Sequence, residues 1–269
     1  IGVLVSRITN PFFAQLIDGI ERLLHKYGYS VMVMQTYDDP EVEQHFLGML
    51  DSHEVDAIML ASIEKADQII KTAKKYPGKV ILVNEDIPVL KTNSIILDHY
   101  DAVKAGLQYL FNKGYKRISY VTGGSFTSSD HGSTRTQAFL DFMQEHNLTI
   151  KADWIFEGYH TIDDGFKLAN NILNLKQKPE VVFTNSDEVA LGLIVNLQKH
   201  NIKIPNNIAV MGYDDQPLSK YAAVPITTIH QPVDDLAKAA VHKLLDNLKV
   251  KNHIQVPKMK LKVIIRKST

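Results

Sequence analysis

Two short apolar runs, residues 181–184 and 208–211, each break off directly into small and acidic residues, and a helical pattern fills the interval between them. A continuous apolar run of this length followed by a polar tip reads as a strand buried on both faces, as in a parallel sheet. Between the runs, Val189, Leu193, Ile194 and Leu197 fall on one side of a helix, so the stretch is a strand feeding a crossover into a second strand. In open parallel sheets ligands sit just beyond the carboxyl ends of the strands. Asp187 and Asp214 stand at two such ends and are expected to line a small-molecule cleft.

The same plan runs through the whole chain. Residues 1–5 read as a buried strand. Asn10-Pro11 then introduces a helix whose apolar positions, from Phe13 through Leu16, Ile17 and Ile20 to Tyr27, keep the spacing of one face, with Gly28 as its C-cap. Strands over 31–34, 57–60, 80–83 and 95–97 are interleaved with helices over 41–53 and 66–76. A second series places helices over 102–113, 134–146 and 163–175 and strands over 118–122, 155–157 and near 226–229. Strands alternating with helices of this length specify βαβ units, and so an α/β chain with parallel sheets and right-handed crossovers. The halves share a helix-Gly-Tyr-strand punctuation, Tyr27-Gly28-Tyr29 and Lys113-Gly114-Tyr115, without a residue-level repeat. A helix over 233–248 and a strand over 259–265 return to cover both halves, with no low-complexity linker between them.

Composition narrows the function classes. Thirty Lys plus Arg balance thirty Asp plus Glu, so no net basic field draws this chain onto nucleic acid. The absence of cysteine excludes disulfides, thiolate catalysis and cysteine-ligated metal. No apolar run approaches the ~20 residues a membrane span requires. The chain opens inside a strand, so a preceding leader or domain is expected to have been removed. Nucleotide-binding glycine motifs, H-E-x-x-H and G-x-S-x-G do not occur. Gly123-Gly124-Ser125 follows a strand and either offers amides to an anion or is an ordinary loop. Asp38-Asp39 and Asp214-Asp215 read as strand-end loops, one carboxylate for ligand hydroxyls and the other capping a helix. With no nucleophile–base pair, we expect no catalytic residue, no metal site, no cofactor and no enzyme.

Several segments together carry a resemblance. Ile1-Gly-Val-Leu-Val-Ser-Arg-Ile-Thr-Asn-Pro-Phe-Phe13, Gly114-Tyr-Lys-Arg-Ile, Ser186-Asp-Glu-Val-Ala-Leu-Gly192, Pro205-Asn-Asn-Ile-Ala-Val-Met-Gly-Tyr-Asp-Asp215, Thr227-Thr-Ile-His-Gln-Pro232 and Ile265-Arg-Lys-Ser-Thr269 resemble the regulatory domain of the lactose- and galactose-repressor family, in order and along essentially the whole chain. The resemblance implies a type I periplasmic-binding-protein fold: two Rossmann-like lobes, residues 1–99 with 230–256 and residues 100–229 with 257–269, joined by three crossovers. It further implies a small-molecule effector in the cleft, a homodimer, cytoplasmic residence without membrane contact, and operator DNA bound through a helix-turn-helix ahead of Ile1 that this chain lacks. A secreted sugar-binding protein serving a transporter is the alternative, and a sensor of a phosphorylated carrier protein is a third.

By the same resemblance the effector contacts are Ser6 and Phe12 after the first strand, Asp98, Arg135, Ser186, Asp187 and Asp214; Phe13, beside them, is either a further contact or a core residue at helical spacing. Arg135 would fork onto ligand oxygens. Asp187 has a second reading as the N-cap of the next helix, and Asp98 one as a residue that orders the hinge. Two departures bear on the ligand. His160 stands where many relatives carry an aromatic platform, and Val83-Asn84-Glu85 replaces the usual Val-Asp-Arg. Several carboxylates beside one arginine favour a neutral polyhydroxy effector, a sugar before a purine.

Overall fold

The computed structural model describes residues 1–124, 126 and 133–269. In chain order its elements are β1 (Gly2–Val5), α1 (Pro11–His25), β2 (Met32–Gln35), α2 (Pro40–Leu47), β3 (Ile58–Leu60), α3 (Ala66–Lys75), β4 (Val80–Val83), β5 (Ser94–Ile95), α4 (His99–Asn112), β6 (Ile118–Thr122), α5 (Ser133–Glu145), β7 (Ile155–Glu157) and α6 (Ile162–Asn174). They continue with β8 (Val181–Phe183), α7 (Asp187–Lys199), β9 (Ala209–Met211), α8 (Pro217–Tyr221), β10 (Thr228–His230), α9 (Val233–Asn247) and β11 (Lys262–Ile264). Two compact units result: Ile1–Leu97 with Pro232–Lys260, and Asp98–Gln231 with Leu261–Thr269.

The first unit holds a five-stranded sheet in the order β2-β1-β3-β4-β5, and the second a four-stranded sheet in the order β7-β6-β8-β9; every pairing in both is parallel. A short antiparallel ladder, β10-β11, lies in the second unit, where single bridges Met211↔Thr227 and Asp214↔His230 tie β10 to the chain leaving β9. Alternate residues of each strand face opposite layers. In the first unit Leu4, Ile58, Leu60, Val80 and Leu82 pack with Leu47 of α2 and Ile69 of α3. In the second, Ile118, Tyr120, Val181, Phe183 and Met211 pack with Leu107 of α4 and Phe139 of α5, while Val121, Val182 and Val210 pack with Leu168 of α6 and Leu193 of α7. Burial on both faces is the reason these strands carry no alternation in sequence.

Local chemistry sets the helix ends. Side chains of Asn10, Asp39, Asp98, Thr161 and Ser186 cap the N-termini of α1, α2, α4, α6 and α7, each contributing about 1 kcal/mol. Helix α1 stops at His25, ahead of Gly28: the glycine takes φ +80° two positions beyond the cap residue Lys26, and Tyr29 N–H closes onto Leu24 O at 3.1 Å. Gly114 repeats the device with φ +99° and Tyr115 N–H on Leu110 O at 3.2 Å.

Three elements differ from the sequence reading. The helix over 41–53 ends as α-helix at Leu47 and tightens into a 3-10 turn at Gly48–Leu50, glycine being a poor helix former. The last strand contracts to Lys262–Ile264, the three residues that find partners on β10. Helix α8, with Pro217 in its first turn, is too short to show a period and was not anticipated.

Candidate functional site

The carboxyl ends of the strands in the second unit gather most of the site residues. Arg135 rises from the first turn of α5 and lays its guanidinium over the Tyr213 ring, 4.6 Å from the ring centre, while its Nη1 donates to the Asn185 carbonyl at 3.3 Å. Tyr213 is 1% exposed, and its hydroxyl meets His99 Nδ1 at 2.7 Å. Burial, with the Arg135 charge adding to it, lowers the His99 imidazole to about 3, so that ring is neutral across the physiological range. Burial also pushes the Tyr213 hydroxyl up.

Asp214 is the centre of this rim. Its backbone is left-handed (φ 103°), as is that of Asp215 (φ 59°), a conformation costing a non-glycine residue on the order of 1–3 kcal/mol. It is held there by Asp214 N–H on Ile229 O at 2.8 Å and Gln231 N–H on Asp214 O at 3.3 Å. The carboxylate accepts from Gln231 Nε2 at 2.6 Å and from Gln216 Nε2 at 3.1 Å. Burial raises this carboxyl to about 7, against the opposing pull of Arg135. A half-buried acid poised near neutrality beside an arginine is a functional-site signature.

The neighbours divide by role. His160 is exposed, and its ring packs on Gly123 so closely that a Cβ there would lie 2.6 Å from His160 Cε1 and 3.2 Å from Asn185 Nδ2. Asn185 donates from Nδ2 to Tyr159 O at 2.7 Å, which fixes the amide and brings β8 and the chain after β7 to one spot. Ser186 is occupied as the cap of α7, its Oγ accepting Val189 N–H at 3.2 Å. Asp187, expected from the sequence to line the cleft or else to cap the helix, is buried and is not the cap. It is the first residue of α7, fully buried under Gly212, where a Cβ would lie 2.1 Å from Asp187 Oδ1. Its Oδ2 accepts Gln216 N–H at 2.7 Å, and burial, then the nearby Asp214, drives its carboxyl well up. Asp187 therefore anchors from below the loop that presents Asp214.

Asp215 corrects a second expectation. It caps no helix but accepts Arg266 Nη2 at 2.6 Å and His230 Nδ1 at 3.0 Å, tying the same loop to β10 and the chain after β11. Against burial, these two partners hold its carboxyl below the usual range. Asp39, by contrast, does cap α2, its Oδ1 accepting Glu41 N–H at 2.8 Å. Asp98 is exposed and caps α4, accepting Asp101 N–H at 3.0 Å. Ser125 of the Gly123-Gly124-Ser125 loop lies outside the described residues.

Ser6, Phe12 and Phe13 belong to the first unit, at the carboxyl end of β1. Ser6 is half-buried, its carbonyl accepting Tyr37 N–H at 3.0 Å. Phe12 is buried and Phe13 half-buried, their rings edge-on at 5.4 Å. The hydroxyls of Thr36 and Ser62, beyond β2 and β3 on either side of β1, are buried with no hydrogen-bond partner among the described residues. Sequence reasoning missed Asn185, Tyr213, Gln216, Gln231 and His99. Asn185, Tyr213 and His99 are each adjacent in sequence to a residue it selected and Gln216 lies two residues from Asp214, whereas Gln231 is brought in from 17 residues along the chain. Among the described residues no group of three His, Asp or Glu side chains is placed to hold a metal ion, and no helix is long and apolar enough to cross a membrane.

A family profile described as periplasmic binding proteins and sugar binding domain of LacI family matches residues 1–264. The NTD biosynthesis operon regulator NtdR of Bacillus subtilis (strain 168) is 33% identical over 271 residues, spanning 100% of this chain and 82% of that protein. An HTH-type transcriptional repressor PurR of Aliivibrio salmonicida (strain LFI1238) is 32% identical over 272 residues, with 100% of this chain and 80% of that protein covered. Among solved structures, a LacI family transcriptional regulator from Lactobacillus casei with bound sucrose is 48% identical with a TM-score of 0.96, over 100% of this chain and 98% of that one. The same regulator with bound glucose gives 49% and 0.93 over the same shares.

Proposed function

Because this chain belongs to the LacI family, as the ligand-binding domain of a transcriptional regulator, we propose that it senses a sugar at the carboxyl-end rim of its second unit. The observation that carries this reading is the Arg135–Asp214 pair. A planar cation seated on Tyr213 and a half-buried carboxyl stand on one rim, tied to it through Asn185, Gln216 and Gln231. A guanidinium supplies only donors and a carboxylate only acceptors, so together they match hydroxyls, which are both. Support for a glucose-containing effector comes from the Lactobacillus casei regulator, about half identical to this chain and solved with glucose and with sucrose.

In this reading the sugar is bound and released intact. It shifts the regulator between two conformations only by the difference in its affinity for them. In this reading the full protein is a cytoplasmic homodimer that reads operator DNA through a helix-turn-helix segment; support for the DNA-binding part comes from a relative named as an HTH-type transcriptional repressor. The regulator reading is favoured over a transporter's binding protein because the relatives matched over the whole chain are regulators.

A thermal-shift screen of glucose, sucrose and other mono- and disaccharides, with purines as controls, tests the reading. A ligand at a hundred times its dissociation constant raises stability by about 2.7 kcal/mol. Arg135→Ala is expected to cost about 2 kcal/mol of binding, or roughly thirtyfold in affinity, by removing a charge-assisted donor set. Unchanged affinity in Arg135→Ala, or no stabilisation by any saccharide, rejects the site.

A further inference from the structure

The second unit's rim holds a surplus of hydrogen-bond acceptors. Three amide side chains border Arg135 and Asp214, and in each the nitrogen is spent within the protein while the oxygen has no partner among the described residues: Asn185 Oδ1, Gln216 Oε1 and Gln231 Oε1. The orientation of each amide follows from what its nitrogen touches. Gln216 and Gln231 donate to the Asp214 carboxylate, and Asn185 donates to the Tyr159 carbonyl. Neither acceptor would tolerate a flipped amide oxygen. Gln216 and Gln231 are 2% and 4% exposed, so bulk water does not satisfy them in place of a partner. Each orphan oxygen shares a carbon with a nitrogen already bonded, which places those of Gln216 and Gln231 on the flank of Asp214 and that of Asn185 beside the Tyr159 carbonyl.

Charge does not oppose this: Asp215 is paired with Arg266 and His230, while among the described residues Asp214 feels Glu188 as well as Arg135. Arg135 is a donor with no acceptor capacity, and one of its five N–H groups is on the Asn185 carbonyl. What the cluster lacks is a compact positive group carrying several donors. A hydroxyl supplies one donor and brings two acceptor lone pairs into an acceptor-rich place; a primary ammonium supplies three donors, no acceptor and a charge.

We propose that the effector of this site is a polyhydroxy amine, a sugar or polyol whose protonated amino group docks between Asp214 and the amide oxygens of Gln216 and Gln231 while Arg135 takes its hydroxyls. The proposal rests on the effector reading above and narrows its ligand class. The raised Asp214 carboxyl agrees with it, because an ammonium beside that group restores its ionised form.

Isothermal titration of this chain with D-glucosamine, N-acetyl-D-glucosamine and D-glucose is the test. These share a skeleton, and N-acetylation removes the charge while keeping the nitrogen. We expect D-glucosamine to bind at least tenfold more tightly than either neutral sugar, and Asp214→Asn to bring the three within about twofold of one another. If Asp214→Asn does not fold, the comparison of glucosamine with its acetylated form in the parent chain decides by itself. Equal affinities in the parent, or a preference that survives in folded Asp214→Asn, overturn the amine while leaving the sugar site standing. If none of the three binds at any concentration, and the wider saccharide screen is also blank, the effector reading falls and the amine with it.

Discussion

Each unit buries a carboxylate near the carboxyl end of its sheet, and the two are held in opposite ways. In the first unit Glu43 is fully buried, its Oε2 accepting Glu64 N–H at 2.8 Å and its Oε1 accepting Lys65 N–H at 3.0 Å in the loop between β3 and α3. In the second, Asp214 is bonded by the side-chain amides of Gln216 and Gln231, on a backbone forced left-handed, with its carboxyl raised to about 7. A carboxylate paired with main-chain N–H groups is part of the architecture, since those donors cannot be exchanged without unmaking the loop. One held only by side chains, in a strained segment beside an arginine, can trade partners with a ligand. Buried acids at the ends of parallel strands are thus not equivalent. The identity of the donor separates an acid locked to the main chain from one whose partners can be exchanged.

The largest effect that would sharpen this contrast is expected at Glu43. Glu43→Ala leaves two buried backbone donors unpaired and should lower stability by about 3 kcal/mol in urea denaturation. Its effector affinity, measured where the variant is folded, should stay within about twofold of the parent. A stable Glu43→Ala chain that loses effector would reverse the assignment of scaffold and site.

Next is the pH dependence of stability. With its folded value near 7, against an ordinary value of 3.8, Asp214 holds a proton that the unfolded chain gives up. Folding stability from this group is therefore greatest below about pH 4, falls as pH rises toward about 7 and is flat above. The fall is at most about 1.4 kcal/mol per pH unit. Asp187, raised in the same direction, contributes with the same sign. Urea midpoints from pH 5 to pH 8 should therefore slope less steeply in Asp214→Asn than in the parent. Identical slopes would show that Asp214 is not the poised acid.

The smallest effect is expected at Ser186. Removing its cap in Ser186→Ala should cost about 1 kcal/mol of stability and change effector affinity by less than about twofold, because its Oγ is committed to Val189 N–H. A large loss of affinity without loss of stability would return Ser186 to the contact set.

Much was legible beforehand. The strands at 80–83, 118–122 and 155–157 fall where their residue patterns place them, as β4, β6 and β7. The family is the one that the Gly-Tyr-Asp-Asp and Thr-Thr-Ile-His-Gln-Pro segments resemble. The candidate site was read less evenly. Arg135 and Asp214 meet on one rim, whereas Asp187 has dropped beneath Gly212 and Asp98 and Ser186 spend their side chains as caps.

The reason is physical. An apolar run of four residues, a capping Asn or Asp and a Gly after a helix act over one or two turns of chain, so the sequence alone determines the βαβ series and the α/β class. Whether a strand-end carboxylate faces outward or inward depends on partners far along the chain. Gln231 reaches Asp214 across 17 residues, and Arg266 reaches Asp215 across 51. Only the packed fold brings those donors into range and leaves three amide oxygens without one among the described residues, so only the tertiary structure decided which acids are locked to the main chain and which keep side-chain partners alone.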